Sequence, residues 1–229
     1  MKRVIDMSLK GEKIACFGDS TTWGDNGIGT GGNQISWTTQ IKPLVKASVV
    51  TNLGVKGSRM GIKADRTDSF VERWQRGIDL SGDVIVVFGG VNDFERAVPL
   101  GKMGSEDPHT FYGAVNTLVT GIVGRYPEAQ VVFLTPCKSG GVVRKGLPPF
   151  YQKNEVGEYE EAYADTVLEV CAHYAVPTID LFRTSGISPL IPEQQKLYMP
   201  DGLHYSCAGY GRLAHRIAAG LNVLTYFED

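Results

Sequence analysis

Five short apolar segments constrain the fold of this 229-residue chain more than any other feature of its sequence. Each is rich in Val, Ile or Phe and close to continuously apolar; they span residues 13–17, 49–53, 83–88, 130–134 and 176–181. A strand that is apolar at nearly every position, rather than at every second one, is typical of a parallel sheet covered by helices on both faces.

Longer segments with helical periodicity alternate with these predicted strands. They span residues 37–47, 111–123, 155–174 and 208–221. In the second of them, Phe111, Val115 and Leu118 recur at the spacing of one helix face. Strands that alternate with helices predict βαβ crossovers. We therefore expect an α/β fold in one domain over residues 1–229: a three-layer α/β/α sandwich with a five-stranded parallel sheet and a flavodoxin-like layout.

Composition and charge exclude several classes of protein. The chain is 42% apolar, enough for a sizeable core, and its net charge of -2 without a basic cluster predicts no nucleic-acid partner. The longest apolar runs, such as residues 84–88, are too short to span a membrane. Charged residues interrupt the segment behind the basic N-terminus, so we predict no signal peptide and a cytoplasmic location, with export by another route left open.

The cysteines predict neither a metal site nor a disulfide framework. None of the four forms a CxxC pair or lies beside a His at metal-ligand spacing. We interpret them as small hydrophobic residues that stay reduced. The sequence does not define an oligomeric state, and a homo-oligomer is compatible with it.

Three polar motifs follow consecutive predicted strands. Ser20 follows the first strand, Gly54 ends the second and Asn92 follows the third. The carboxyl ends of parallel strands meet at one edge of a sheet, which is where open α/β sheets bind ligands. Each motif by itself is also typical of a helix cap or a turn. Their shared position after strands favours one common site.

A fourth motif lies near the C-terminus, where Asp201 and His204 are three residues apart. On one turn, the carboxylate can hold the imidazole in the tautomer that accepts a proton at Nε2. A capped helix start is the structural alternative for this motif. A serine, an amide donor and an Asp–His pair are together the groups that acyl transfer requires.

These four motifs resemble the sequence blocks that define the SGNH (GDSL) hydrolase family. The order of the blocks and their strand placement agree, and the blocks extend from residue 18 to residue 206, with Val91 where Thr is often found. The matching residues are Gly18, Asp19, Ser20, Thr22 and Gly24, then Gly54, then Gly90, Val91, Asn92 and Asp93, and finally Asp201 and His204.

The resemblance implies a role for each of these functional positions. It makes Ser20 the nucleophile, His204 the general base and Asp201 its orienting partner. It makes the backbone N–H groups of Ser20 and Gly54 and the side-chain amide of Asn92 the oxyanion hole. Family members are typically esterases, thioesterases or lipases that need no cofactor, so the implied partner is a small-molecule ester.

The expected substrate is an ester with a short acyl group, such as acetyl, on a carbohydrate or similar alcohol. No long apolar helix is available to cover a fatty chain, and aromatic residues in the site loops can stack on a sugar ring. Two long segments, 95–109 and 138–153, emerge at the same edge and would set specificity. The predicted substrate contacts are Asp19, Trp23, Asp93, Phe94 and Tyr205.

Three alternative functions remain open at the level of the sequence. The first is a lysophospholipase or thioesterase of the same family. The second is a flavodoxin-like binding protein, in which the polar residues 19–22 would hold the phosphate of FMN; such a site would not need the Asp201–His204 pair. The third is a catalytically silent domain of the same fold.

Overall fold

A five-stranded parallel sheet forms the centre of the molecule, in a computed structural model that describes residues 9–142 and 145–224. The strand order is β2-β1-β3-β4-β5, and every neighbouring pair is parallel. This confirms the predicted flavodoxin-like α/β architecture. The strands are β1 (Lys13–Gly18), β2 (Val49–Gly54), β3 (Val84–Phe88), β4 (Gln130–Leu134) and β5 (Thr178–Ile179).

Helices cover both faces of the sheet. They are α1 (Ser20–Trp23), α2 (Trp37–Val45), α3 (Phe70–Gln75), α4 (Val91–Glu95), α5 (Phe111–Arg125), α6 (Glu160–His173), α7 (Leu181–Thr184), α8 (Pro192–Tyr198) and α9 (Cys207–Leu224). Within residues 9–142 and 145–224, none of them combines the length and apolar character needed to cross a bilayer.

Two elements are considerably shorter than the sequence pattern predicts, and local side-chain hydrogen bonds explain the end of one and the start of the other. The strand expected over residues 176–181 ends at Ile179, because the Asp180 side chain accepts the N–H of Arg183 and starts helix α7. The helix expected over residues 155–174 starts at Glu160. Before it, the side-chain oxygen of Asn154 accepts the N–H groups of Val156 and Glu158 and holds a turn instead.

Alternate residues of the central strands pack into two separate hydrophobic cores, one on each face of the sheet. On one face, Ile14 and Val84 pack in the cluster that includes residues of α2 and α9. On the other face, Phe17 and Ile85 pack in the cluster formed with α3, α5 and α6. Because side chains alternate along a strand, burial on both faces explains why the central strands β1, β3 and β4 are almost continuously apolar, whereas the edge strand β2 is only partly buried.

The strand register brings three strand ends side by side. Gly18, the last residue of β1, pairs with Gly54 of β2 on one side and with Phe88 of β3 on the other. The chain passes from β1 to β2 and then crosses back to β3, so the strand order reverses at β1. Such a switch point is where open α/β sheets bind ligands. The segments that carry Ser20 and Asn92 both start there.

Candidate active site

Ser20 is positioned by an abrupt change from strand to helix. Strand β1 ends at Gly18 and helix α1 starts at Ser20, while the Asp19 carboxylate caps the helix by accepting the N–H of Thr21 at 2.8 Å. A Cβ at position 18 would lie 2.0 Å from the Thr22 hydroxyl and 3.0 Å from the carbonyl oxygen of Phe88. Glycine at position 18 therefore allows the close packing that places the Ser20 side chain at the carboxyl edge of the sheet.

His204 lies between Ser20 and Asp201. Its Nε2 is 3.1 Å from Ser20 Oγ, and its Nδ1 is 2.8 Å from Asp201 Oδ2. The other carboxylate oxygen of Asp201 accepts the backbone N–H of Leu203 at 3.0 Å and that of His204 at 2.7 Å, which holds the turn. The three side chains that the sequence motifs singled out thus form one hydrogen-bonded chain. In this arrangement an imidazole can accept the serine proton while the carboxylate stabilises the resulting cation.

The Asp201 carboxylate is ionised throughout the neutral range. Burial alone raises its pKa, but the hydrogen bond and charge of His204, together with the N–H groups of His204 and Leu203, outweigh burial and lower the pKa to about 2. An ionised Asp201 accepts a hydrogen bond from the N–H at Nδ1 of His204 and leaves Nε2 free to act as a base toward Ser20.

Asn92 and Asp19 form a buried pair directly behind Ser20. The amide nitrogen of Asn92 donates to Asp19 Oδ2 at 3.1 Å and to the carbonyl oxygen of Ser58 at 3.2 Å. Burial raises the pKa of Asp19 to about 6, although hydrogen bonds from Thr21 and Asn92 and the charge of His204 oppose the shift. The Asn92 amide therefore points toward Asp19, the residue next to Ser20. A substrate oxygen would have to compete with Asp19 and Ser58 for the amide hydrogens of Asn92.

Gly54 does not offer the free donor that the sequence resemblance implied. Its N–H already donates to the side-chain oxygen of Asn52 at 3.0 Å. A Cβ at position 54 would lie 2.2 Å from the nitrogen of Trp23 and 2.8 Å from the carbonyl oxygen of Asp19. The glycine is required because the end of β2 packs directly against the backbone of α1.

The side chains of three of the five predicted substrate contacts are buried. Phe94 is fully buried against Tyr163, with ring centroids 5.9 Å apart. Asp93 is also fully buried; its two oxygens accept the N–H groups of Met60 and Gly61 at 2.9 and 2.8 Å, and burial raises its pKa to about 7. Tyr205 packs on Tyr210 at 5.5 Å. In this structure the side chains of Asp93 and Phe94 offer no surface to a substrate, whereas Tyr205 also borders the small cavity beside Asp19, so its contact with substrate stays a prediction.

The other two predicted contacts lie next to Ser20. Asp19 is buried and supports Asn92 rather than facing solvent. Trp23, at the end of α1, is only partly buried, and the ammonium group of Lys56 lies 4.8 Å from the centroid of its ring. Trp23 is thus the one residue of the five with an aromatic face near the nucleophile and with exposed surface.

Sequence reasoning missed Asp25 and Lys56. Asp25 Oδ2 lies 3.7 Å from His204 Nε2 and 2.7 Å from Lys56 Nζ. Asp25 belongs to the glycine-rich stretch 24–32 that directly follows the serine motif. This stretch packs on the Asp201 turn, because a Cβ at Gly27 would lie 2.1 Å from Asp201 Oδ2. The sequence feature that could have identified Asp25 is an acidic residue in a glycine-rich segment close to the serine.

Comparisons with known proteins agree with this fold and identify the family of the chain. Residues 16–212 match the GDSL-like Lipase/Acylhydrolase family. The chain therefore belongs to that family, which confirms the resemblance seen in its motifs. No curated protein gives a significant match. The family match supports the class of ester hydrolases for this chain.

Solved structures show the same architecture over nearly the whole chain. One is 59% identical with a TM-score of 0.92, over 96% of this chain and 100% of that one. A protein from Lactobacillus plantarum is 30% identical with a TM-score of 0.81, over 95% and 100% of the two chains. The lipase/acylhydrolase from Enterococcus faecalis is 21% identical with a TM-score of 0.63, over 95% and 99%, and its likeness extends to the fold alone.

Proposed function

We propose that this protein is a serine esterase that hydrolyses carboxylic esters through an acyl-enzyme on Ser20. The observation that carries the proposal is the continuous hydrogen-bonded chain from Ser20 Oγ through the two ring nitrogens of His204 to Asp201, with contacts of 3.1 and 2.8 Å. A buried imidazole between a hydroxyl and an ionised carboxylate is the arrangement that activates a serine for acyl transfer.

In the acylation step, His204 acts first as a base and then as an acid. Nε2 takes the proton of Ser20 while Oγ attacks the carbonyl carbon of the ester. The ionised Asp201 stabilises the imidazolium that forms. Nε2 then gives the proton to the alcohol oxygen, which leaves, and the acyl group remains on Oγ.

We assign the oxyanion donors to the backbone N–H of Ser20 and the side-chain amide of Asn92. The amide reaches the site by exchanging one of its two present acceptors for the substrate oxygen. We leave Gly54 out of this set, because its single N–H donates to Asn52, whereas the Asn92 amide can keep one of its two hydrogen bonds while it donates the other hydrogen to the substrate. The backbone N–H of Ser20 is held in place before the reaction, and such a donor stabilises developing negative charge without a reorganisation cost, whereas the Asn92 amide must first release one acceptor.

We further propose that the acyl group is short, such as acetyl, and that the alcohol is a carbohydrate or a similar polyol. The small cavity beside Asp19, which Phe88, Leu203 and Tyr205 also border, has a volume of about 10 Å³, close to the minimum for one water, and it offers an alkyl chain no room next to the Ser20 segment. The partly exposed ring of Trp23 supplies a face on which a sugar ring stacks.

The test is an activity panel with a nucleophile variant. The panel contains acetylated sugars, p-nitrophenyl esters of increasing acyl length, an acetyl thioester and a lysophospholipid. We expect kcat/KM to be highest for acetyl esters and to fall with chain length, and Ser20→Ala to lose nearly all hydrolysis. Ser81→Ala is the matched control, because Ser81 is exposed and precedes the amino end of β3, at the opposite edge of the sheet.

Two outcomes contradict different parts of the proposal. Full p-nitrophenyl acetate hydrolysis by Ser20→Ala would remove the serine mechanism. A preference for long acyl chains, for the thioester or for the lysophospholipid would leave the mechanism intact and overturn the acetyl assignment.

A further inference from the structure

The carboxylate of Asp25 faces the same nitrogen of His204 that faces Ser20. Asp25 Oδ2 lies 3.7 Å from Nε2, and Ser20 Oγ lies 3.1 Å from it. The other ring nitrogen, Nδ1, is hydrogen-bonded to Asp201. His204 is therefore placed between two carboxylates, and the one on the side of the reacting atoms is Asp25.

Three contacts fix the position of Asp25 relative to the nucleophile. Its backbone N–H donates to the carbonyl oxygen of Ser20 at 2.9 Å, and its Oδ1 accepts the N–H of Gly27 at 3.1 Å. The hydroxyl of Tyr210 donates to its carbonyl oxygen at 2.6 Å. Asp25 is buried, so its second carboxylate oxygen is held toward His204 rather than free to turn to solvent.

Lys56 keeps this carboxylate ionised. Its Nζ lies 2.7 Å from Asp25 Oδ2 and 4.8 Å from the centroid of the Trp23 ring. Burial raises the pKa of Asp25, but the hydrogen bond from Lys56, the charge of His204 and the N–H of Gly27 together bring the pKa below its ordinary value. An ionised carboxylate only accepts hydrogen bonds, and Oδ2 has lone-pair capacity for a second donor.

We propose that Asp25 is a further catalytic residue, which accepts a hydrogen bond from the water that hydrolyses the acyl-enzyme. The inference rests on the proposed acyl-enzyme at Ser20. Two acceptors 3.7 Å apart are within reach of one water, which donates one hydrogen to Nε2 and the other to Oδ2. The water oxygen is then oriented toward the acyl group on the neighbouring Ser20.

The deacylation step balances with the groups present. The water oxygen bonds to the acyl carbon while one proton passes to Nε2 of His204. The tetrahedral intermediate expels Ser20 Oγ, which takes that proton back, and the carboxylic acid leaves. Asp25 holds the second O–H of the water and remains ionised throughout.

This role separates deacylation from acylation. The nucleophile in acylation is a serine hydroxyl with one hydrogen, for which Nε2 is a sufficient acceptor. The nucleophile in deacylation is a water with two hydrogens, and the second one needs its own acceptor. Loss of the Asp25 carboxylate is therefore expected to slow deacylation selectively.

The test is stopped-flow hydrolysis of p-nitrophenyl acetate by Asp25→Asn. The variant keeps the side-chain oxygen that accepts the N–H of Gly27. We expect acylation to stay within about threefold of the wild type and deacylation to fall about 10- to 100-fold, the range for loss of an orienting group. A burst of one p-nitrophenolate per active site should precede the slow steady state. Asp79→Asn, an exposed change before the amino end of β3, is the matched control.

Asp25→Ser is a second variant, which keeps the proposal testable if Asp25→Asn does not fold. The serine hydroxyl can accept the N–H of Gly27, but the variant has no oxygen in the position that faces His204. Equal losses in acylation and deacylation, or an unchanged kcat, would overturn the role of Asp25. Titration of wild-type Ser20 with a serine-reactive phosphonate separates the two proposals. An unlabelled Ser20 counts against the esterase mechanism itself, whereas a labelled Ser20 without acyl-enzyme accumulation in either Asp25 variant counts against Asp25 alone.

Discussion

His204 Nε2 lies 3.1 Å from Ser20 Oγ although the two residues are 184 positions apart in the chain. Ser20 comes directly after the first strand, and His204 lies in the turn before the last helix. Helix α9 packs beside α2 on the same face of the sheet, which returns the end of the chain to the edge where β1 ends. The proposed chemistry therefore depends on the complete fold.

Asp201→Asn is expected to lower kcat for short esters by about 10⁴-fold with little effect on KM, because an amide favours the wrong tautomer of His204. The side-chain oxygen of Asn still accepts the N–H groups of Leu203 and His204, so the turn is retained. Steady-state kinetics with p-nitrophenyl acetate and a thermal melt check this. A folded Asp201→Asn variant with wild-type kcat would contradict the orienting role.

Asn92→Ala is expected to reduce kcat by about 10²- to 10³-fold, the usual cost of one oxyanion donor. The change also takes a hydrogen bond from the buried Asp19, so the melting temperature should fall as well. Comparison of kcat with KM separates the effects: a donor that acts on the transition state lowers kcat and leaves KM nearly unchanged. A rise in KM with normal kcat would instead indicate a role in substrate binding.

Gly54→Ala is expected to destabilise the protein by about 1–3 kcal/mol or more, because the new methyl group would collide with the backbone of α1. Gly124→Ala is the control, since nothing lies within 4 Å of a Cβ there and the position is inside helix α5. The control should be neutral or slightly stabilising. Urea unfolding measures both. Equal stability of the two variants would contradict the packing role of Gly54.

Glu95→Gln is expected to make the stability of the protein less sensitive to a rise in pH between about 5 and 8. Burial raises the pKa of Glu95 from its ordinary 4.5 to about 8. Between these values the unfolded chain has lost the proton that the folded chain retains, so the free energy of unfolding falls as pH rises, by at most about 1.4 kcal/mol per pH unit. The neutral Gln carries no such proton, and its advantage over the wild type should grow from pH 5 to pH 8.

Urea unfolding at several pH values tests this expectation, with the exposed Glu128→Gln as the matched change. Parallel pH curves for Glu95→Gln and the wild type would show that Glu95 does not carry this dependence. The Glu95 side chain accepts a hydrogen bond from Ser139 Oγ at 3.4 Å, and a Gln side chain at this position can accept the same bond.

The sequence by itself determined the α/β class, the strand segments and the positions of the serine, amide and Asp–His motifs. Continuous apolar strands and helical periodicity are local properties, and they predict elements without knowledge of their neighbours. The motifs could be assigned to one edge because parallel strands all point the same way. The side chains of Ser20, Asp201 and His204 accordingly come together in the structure.

Only the tertiary structure decided where the remaining side chains point and what they touch. Phe94 follows the correct strand, but the phase of helix α4 turns it into the core. Gly54 lies at the correct edge, but its N–H is taken by Asn52. Asp25 belongs to no predicted motif, yet the fold brings it to 3.7 Å from His204. Side-chain direction and long-range contact depend on packing between elements, and a local pattern carries no record of that packing.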